Sequence, residues 1–137
     1  MALTHLIDTS VISRLAVPAV RAVVERLADA GEIARAGITD LEVGYGSRNA
    51  KQWDQDMADL GVFDLVETTA EHVGRARQVQ RLLAARSQRG RKVPDLLIAA
   101  AAEEKGLTVL HYDGDFDIIS KVTGQRCTWV VPAGSID

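Results

Sequence analysis

The chain has 137 residues and one cysteine, with 47% apolar residues, 26% charged residues and a net charge of −3. A chain of this length predicts one domain, residues 1–137, large enough to bury about 68–70% of its unfolded surface without disulfides. The composition excludes a disulfide framework and a zinc site built from several thiolates, and the weak acidity argues against a broad basic surface for nucleic acid.

The N-terminal residues have neither a basic lead nor a long apolar run, so they do not resemble a signal peptide. The longest apolar stretch, residues 96–102, is far too short to span a bilayer. With a single cysteine, the natural expectation is a reduced, cytoplasmic protein.

Short apolar segments alternate with segments of helical periodicity along the chain. The predicted strands are residues 4–7, 33–38, 62–66, 107–111 and 127–131. The predicted helices are residues 18–30, 39–60, 68–86, 93–105 and a short one that ends near 121. This alternation predicts a parallel sheet with right-handed crossovers and helices on both faces.

Local signals mark the helix ends. Thr39 followed by Glu42, and Thr68 followed by Glu71, are typical of a capping box at a helix start. Pro94 suits the first turn of its helix, where a missing N–H costs nothing.

Carboxylates stand at four of these element ends. Asp8 follows the first strand, Glu42 and Asp95 lie in first helical turns, and Asp113 follows the fourth strand with Asp115 beside it. Ligands of parallel sheets bind beyond the carboxyl ends of the strands, so these acids are predicted to share a pocket.

Such a cluster needs a compensating cation. Two like charges 4 Å apart repel by about 4 kcal/mol at an effective dielectric near 20. Oxygen ligands without His or Cys favour Mg²⁺ or Mn²⁺, and the usual chemistry of such a site is phosphodiester hydrolysis.

Each acid also has a purely structural interpretation. Asp8 could form an Asx-turn, and Glu42 could be the return arm of a capping box. Asp95 could simply favour the positive end of its helix, and Asp113-Gly114 is a common turn pair. The functional interpretation therefore depends on all four acids occurring together.

Several other polar residues are secondary candidates. Thr9 and Ser10 could orient a carboxylate or cap a short helix. Arg89, Arg91 and Lys92, in a basic loop before Asp95, could bind the RNA backbone or form a solvated loop.

The three histidines are scattered through the sequence. A strand-end or packing role is favoured for His111 over that of a catalytic base. His5 and His72 have no partner that the sequence indicates.

Several segments together resemble the PIN-domain family, more narrowly the VapC-type toxins of bacterial toxin–antitoxin pairs. They are Leu6-Ile7-Asp8-Thr9-Ser10, the glutamate at 42, the run from Pro94-Asp95 to Ala102, and Leu110-His111-Tyr112-Asp113-Gly114-Asp115-Phe116-Asp117. The resemblance covers nearly the whole chain.

This resemblance implies a three-layer α/β/α sandwich with a mainly parallel sheet. It also implies a Mg²⁺- or Mn²⁺-dependent endoribonuclease that acts on RNA and inhibits growth. Asp8, Glu42, Asp95 and Asp113 match the four acidic positions of the family, and Asp115 matches a further one. A homodimer is implied, together with a VapB-type antitoxin that would form a heterotetramer or larger complex and offer basic side chains to the pocket.

Two other functions fit the sequence less well. A receiver-like phospho-accepting domain would need a second acid after the first strand, where Thr9 and Ser10 stand instead. A non-catalytic binding module on the same fold would be expected to lack at least one of the acids.

Overall fold

The computed structural model describes residues 2–88 and 92–137. Its strands are β1 His5–Ile7, β2 Ile33–Ala36, β3 Asp64–Val66, β4 Thr108–His111 and β5 Cys127–Trp129. Its helices are α1 Thr9–Ile12, α2 Pro18–Asp29, α3 Gly37–Tyr45, α4 Ala50–Leu60, α5 Ala70–Ala85, α6 Val93–Lys105 and α7 Asp115–Thr123.

The sheet is parallel throughout, with the strand order β3-β2-β1-β4-β5. The chain builds one half of the sheet outward from β1, then returns to place β4 on the other side of β1. The gap beyond β1 and β4 is therefore the point where the strand order reverses, which is where parallel sheets form ligand crevices.

Helices cover both faces of the sheet and enclose two apolar cores. Leu6 and Val109 point into one core, together with the buried sides of α5, α6 and α7. Ile7 and Leu110, the next residues along the same strands, point into the other core, against α1 and α2. The alternation follows from the two-residue repeat of a strand, and it confirms the predicted three-layer sandwich.

Helix starts differ from the sequence prediction at two places. Helix α3 begins at Gly37, so Thr39 lies buried inside it and forms no capping box with Glu42. Helix α5 is capped by Thr69 rather than Thr68. The Thr69 hydroxyl accepts from the His72 N–H, and His72 Nδ1 accepts from the Thr69 N–H in return.

The predicted helix over residues 39–60 is in fact two helices. The side chain of Asn49 accepts a hydrogen bond from the Gln52 N–H at 2.8 Å and so starts α4 as a separate element. Trp53 on α4 approaches α3 at Gly44, where an added Cβ would lie 2.6 Å from the indole nitrogen. Within residues 2–88 and 92–137, the helices are all too short or too polar to cross a membrane.

Candidate functional site

The carboxyl ends of β1 and β4 bring two of the predicted acids together. The two strands pair in register at Ile7 and Leu110, and the Asp8 N–H donates to the Leu110 carbonyl at 2.9 Å. Asp8 and Asp113 therefore leave the sheet side by side, at the point where the strand order reverses.

Helices α3 and α6 complete a pocket of about 520 Å³ above these strand ends. Four predicted acids line it: Asp8, Glu42, Asp95 and Asp113. The walls of the pocket also include Thr9, Ser10, Ser13, Arg14, Lys92, Tyr112 and Gly114.

The tightest group of acids is a subset of those predicted. Carboxylate oxygens of Asp95, Asp113 and Asp115 all lie within 4.8 Å of one another. Asp8 and Glu42 line the same pocket outside this group. Asp115, which the family resemblance gave as a further acidic position, thus belongs to this group.

Asp95 is the most strongly perturbed of the acids. It is 3% exposed at the start of α6, and its Oδ2 has no hydrogen-bond partner among the residues that the structure describes. Burial, followed by the nearby charge of Asp8, raises the pKa of Asp95 to about 8. A buried carboxylate oxygen is normally hydrogen-bonded, so a bound cation or a proton would stabilise this atom.

Asp8 and Glu42 are held by hydroxyl-bearing residues of α1. The Ser10 N–H donates to Asp8 Oδ2 at 3.0 Å, and the Thr9 hydroxyl donates to Glu42 Oε1 at 2.7 Å. Burial raises the pKa of both carboxyls, against the opposing effect of these hydrogen bonds. Asp8 is thus the N-cap of α1, while Thr9 fixes an acid from a different helix.

Ser10 ties the two strand ends together. Its hydroxyl accepts a hydrogen bond from the Tyr112 N–H at 2.9 Å, while its own N–H is bound to Asp8. The pair of contacts links the segment after β1 to the segment after β4.

Asp113 carries a short salt bridge to Lys92. Lys92 Nζ lies 2.6 Å from Asp113 Oδ2 and 4.0 Å from Asp95 Oδ2. Burial alone would raise the pKa of Asp113, but the hydrogen bonds from Lys92 and the Asp115 N–H hold it below its usual value. Lys92, proposed from the sequence as an RNA contact, therefore lies at the acids themselves, while Arg89 and Arg91 fall outside the described residues.

Arg14 is a pocket residue that sequence reasoning missed. Its guanidinium lies 4.8 Å from the centre of the Tyr112 ring and pairs with Asp137 at 2.9 Å. It also donates to the Ser10 carbonyl at 2.7 Å, four residues earlier. That helical spacing from Ser10 is the only signal in the sequence that could have placed Arg14 at the pocket.

A divalent cation fits this set of residues. The donors are carboxylate oxygens, which hard cations prefer, and Asp95 is buried with an Oδ2 that has no hydrogen-bond partner among the described residues. The residues that could hold the ion are Asp95, Asp113 and Asp115, with Asp8 next to them.

The family model for the PIN domain matches residues 5–122. This chain belongs to the PIN-domain family. The membership rules out the receiver-like interpretation. Members of this family generally depend on divalent metal ions, which agrees with the cluster of acids in the pocket.

Curated relatives of this PIN domain include ribonucleases of the VapC group. It is 66% identical to Ribonuclease VapC51 of Mycobacterium tuberculosis, with 100% of both chains covered. It is 39% identical to Ribonuclease VapC21 of the same species, with 98% of this chain and 99% of the relative covered.

Solved structures agree with the fold. The DNA-bound VapBC of Salmonella typhimurium superposes with a TM-score of 0.77 at 17% identity, covering 94% of this chain and 99% of that chain. The VapBC2 of Rickettsia felis, bound to a promoter fragment, gives a TM-score of 0.76 at 18% identity over 93% and 98% of the two chains.

Proposed function

We propose that this PIN domain is a metal-dependent endoribonuclease and the toxin of a toxin–antitoxin pair. The observation that carries the proposal is the group formed by buried Asp95 with Asp113 and Asp115, whose carboxylate oxygens lie within 4.8 Å of one another. The identity to ribonucleases of the VapC group over the full chain supports RNA as the substrate.

The cation is proposed to be Mg²⁺ or Mn²⁺, held by Asp95, Asp113, Asp115 and Asp8. When bound, such an ion neutralises the charge that develops on a phosphodiester as it is hydrolysed. The all-oxygen donor set supports these ions over zinc or copper, which favour nitrogen and sulfur.

The protein's own groups have separate tasks in this proposal. Glu42, oriented by the Thr9 hydroxyl, stands at the pocket wall where it can accept a proton from an attacking water. Lys92 and Arg14 supply positive charge to the same pocket, where an RNA phosphate would enter. Ser10 keeps the two strand ends in register.

The proposed partner is a VapB-type antitoxin, in the cytoplasm, with a homodimer of this chain at the centre of the complex. The curated relatives are named for the VapC group, and the solved neighbours include VapBC complexes. The acidic pocket is suited to a basic antitoxin side chain, because an Arg guanidinium pairs with a carboxylate through two hydrogen bonds.

Asp95→Asn is the decisive variant. It keeps the shape of the side chain but removes the charge, so we expect cleavage of RNA with Mn²⁺ to fall by at least about 100-fold, the scale of removing one acid–base or electrostatic contribution. The measurement is the cleavage rate of total RNA, with the circular dichroism spectrum as a check of the fold.

Asp64→Asn is the matched control, because Asp64 is exposed on β3 at the far edge of the sheet. It should cleave like the parent. A parent protein that binds Mn²⁺ but cleaves no RNA would favour the non-catalytic binding module, and an Asp95→Asn variant with parental activity would refute the assignment of the acids.

A further inference from the structure

His111, at the end of β4, has a fully buried side chain that the proposed chemistry does not use. Its ring lies between two aromatic rings, 4.9 Å from that of Phe116 and 5.0 Å from that of Trp129. The side chain is 0% exposed and is not among the residues that line the pocket, so it cannot touch an RNA substrate.

The ring instead contacts the backbone of an acid. The Asp113 N–H donates to His111 Nδ1 at 3.1 Å. A ring nitrogen accepts a hydrogen bond only when it carries no proton, so His111 is neutral, with its proton on Nε2.

The other ring nitrogen has no counterpart contact. His111 Nε2 is buried and has no hydrogen-bond partner within residues 2–88 and 92–137. Buried polar groups are normally paired, but within the described residues Nε2 is not. No contact at Nε2 from these residues therefore explains why this nitrogen carries the proton. The contact that selects this tautomer is the one between Nδ1 and the Asp113 N–H.

The turn at Asp113 positions the carboxylates of Asp113 and Asp115. Asp113 Oδ1 accepts from the Asp115 N–H at 2.9 Å, and Asp113 Oδ2 receives Lys92. The backbone of Asp113 is thus fixed from the buried side by His111, while its side chain fixes the residue that carries the next acid.

We propose that His111 is a positioning residue, whose Nδ1 holds the turn at Asp113 so that the Asp113 and Asp115 carboxylates can bind a divalent cation. The inference rests on the metal site proposed above. It predicts that the hydrogen-bond acceptor at this position, rather than the ring, determines metal affinity.

Two variants separate the acceptor from the ring. His111→Phe keeps an aromatic ring between Phe116 and Trp129 but removes the acceptor. His111→Asn loses the ring but places an amide oxygen where Nδ1 stands, so it can still accept from the Asp113 N–H. The measurements are the Mn²⁺ dissociation constant by calorimetry and the metal-free melting temperature.

Positioning predicts that the two properties separate. His111→Phe should melt near the parent temperature yet bind Mn²⁺ about 10–100-fold more weakly, the usual effect of removing a group that orients a ligand. His111→Asn should melt lower but lose clearly less affinity. A purely structural role predicts the reverse order, with affinity falling together with stability, and that result would overturn the inference.

A measurement on the parent protein keeps the inference testable even if a variant fails to fold. Nitrogen-15 spectra of the histidine ring should show the proton on Nε2 and a coupling between Nδ1 and the Asp113 amide. A proton on Nδ1 would refute the inference. The proposed function fails separately, in the parent protein, if it neither binds Mn²⁺ nor cleaves RNA.

Discussion

At the scale of single residues, the site stands out because its acids are placed where isolated carboxylates are unstable. Asp95 is buried beside Asp8, and both pKa values are raised by burial. The pKa of Asp113 is instead held below its usual value by the hydrogen bonds from Lys92 and the Asp115 N–H. The free energy lost by gathering these charges is recovered when a cation binds, which links fold stability to ligand binding.

Lys92→Met tests this account of the charges. Removal of the ammonium beside Asp113 takes a positive charge away from the cation site, so Mn²⁺ should bind roughly tenfold more tightly, the order of magnitude that Coulomb's law gives for one neighbouring charge in a wet pocket. The metal-free protein should melt at a lower temperature, because the acids lose their counter-ion. Calorimetry and thermal melting measure the two effects.

Lys51→Met provides the control for Lys92→Met. It removes the same charge from an exposed position on α4, and it should leave both quantities unchanged. Weaker Mn²⁺ binding by Lys92→Met would show that Lys92 helps to bind the ion and is not a counter-ion that the ion replaces.

At the scale of elements, helix α6 has the clearest connection between sequence and site. Pro94 opens the helix, Gly106 ends it in the left-handed conformation with φ of +68°, and eight consecutive residues from Asp95 are buried. A helix buried almost all round packs in one orientation, and this orientation directs Asp95 into the pocket. These features were predictable, because Pro and Gly act locally and an apolar run is legible in the sequence.

Helix α3, in contrast, has a contact at the site that the sequence does not predict. No local signal reveals that Glu42 leaves α3 towards Thr9, a residue 33 positions earlier, because the contact depends on how α3 packs beside α1. The sequence suggested a capping box for Glu42, and the helix start at Gly37 shows that this interpretation was wrong.

Two glycine substitutions test how tightly α4 packs against α3, with a glycine of α5 as the comparison. Gly74, within α5, has open space around it, so Gly74→Ala should raise the free energy of unfolding by about 0.5–1 kcal/mol through helix propensity. Gly44→Ala should not give this gain, since its Cβ would meet the Trp53 indole at 2.6 Å. Chemical denaturation measures both, and tryptophan emission should change only for Gly44→Ala. Equal stabilisation by both substitutions would mean that Trp53 of α4 does not restrict α3 at Gly44.

At the scale of the whole molecule, the site exists because of the topology. Its acids come from the segment after β1, from α3, from α6 and from the segment after β4, and parallel pairing of β1 with β4 brings them to one edge. A cation that bridges these elements binds only the folded chain and so stabilises all of it by mass action.

The pH dependence of stability should report the same linkage. The pKa of Asp95 is about 8 in the folded protein and near 3.8 when unfolded, so the folded state holds the extra proton between these values. Metal-free stability should therefore fall as pH rises from 6.5 to 8, with a slope of up to about 1.4 kcal/mol per pH unit.

The fall in metal-free stability is predicted only above pH 6.5, because a second group titrates below that value. Burial lowers the pKa of His111 to about 4, so below pH 6.5 that residue makes stability rise with pH and opposes the effect of Asp95. Denaturant midpoints at several pH values are the measurement. Asp95→Asn should flatten the dependence, and an equally steep profile in that variant would place the titrating group elsewhere.

Periodicity, capping residues and residue chemistry are local properties, so the sequence was enough to predict the classes of element, the parallel layered fold and the candidate acids. Three features could be seen only in the folded chain: which acids approach one another, that Lys92 pairs with Asp113, and that the Thr9 hydroxyl holds Glu42. Those contacts join residues from different elements, and side chains meet across such distances only once the sheet has set its strand order and the helices have packed against it.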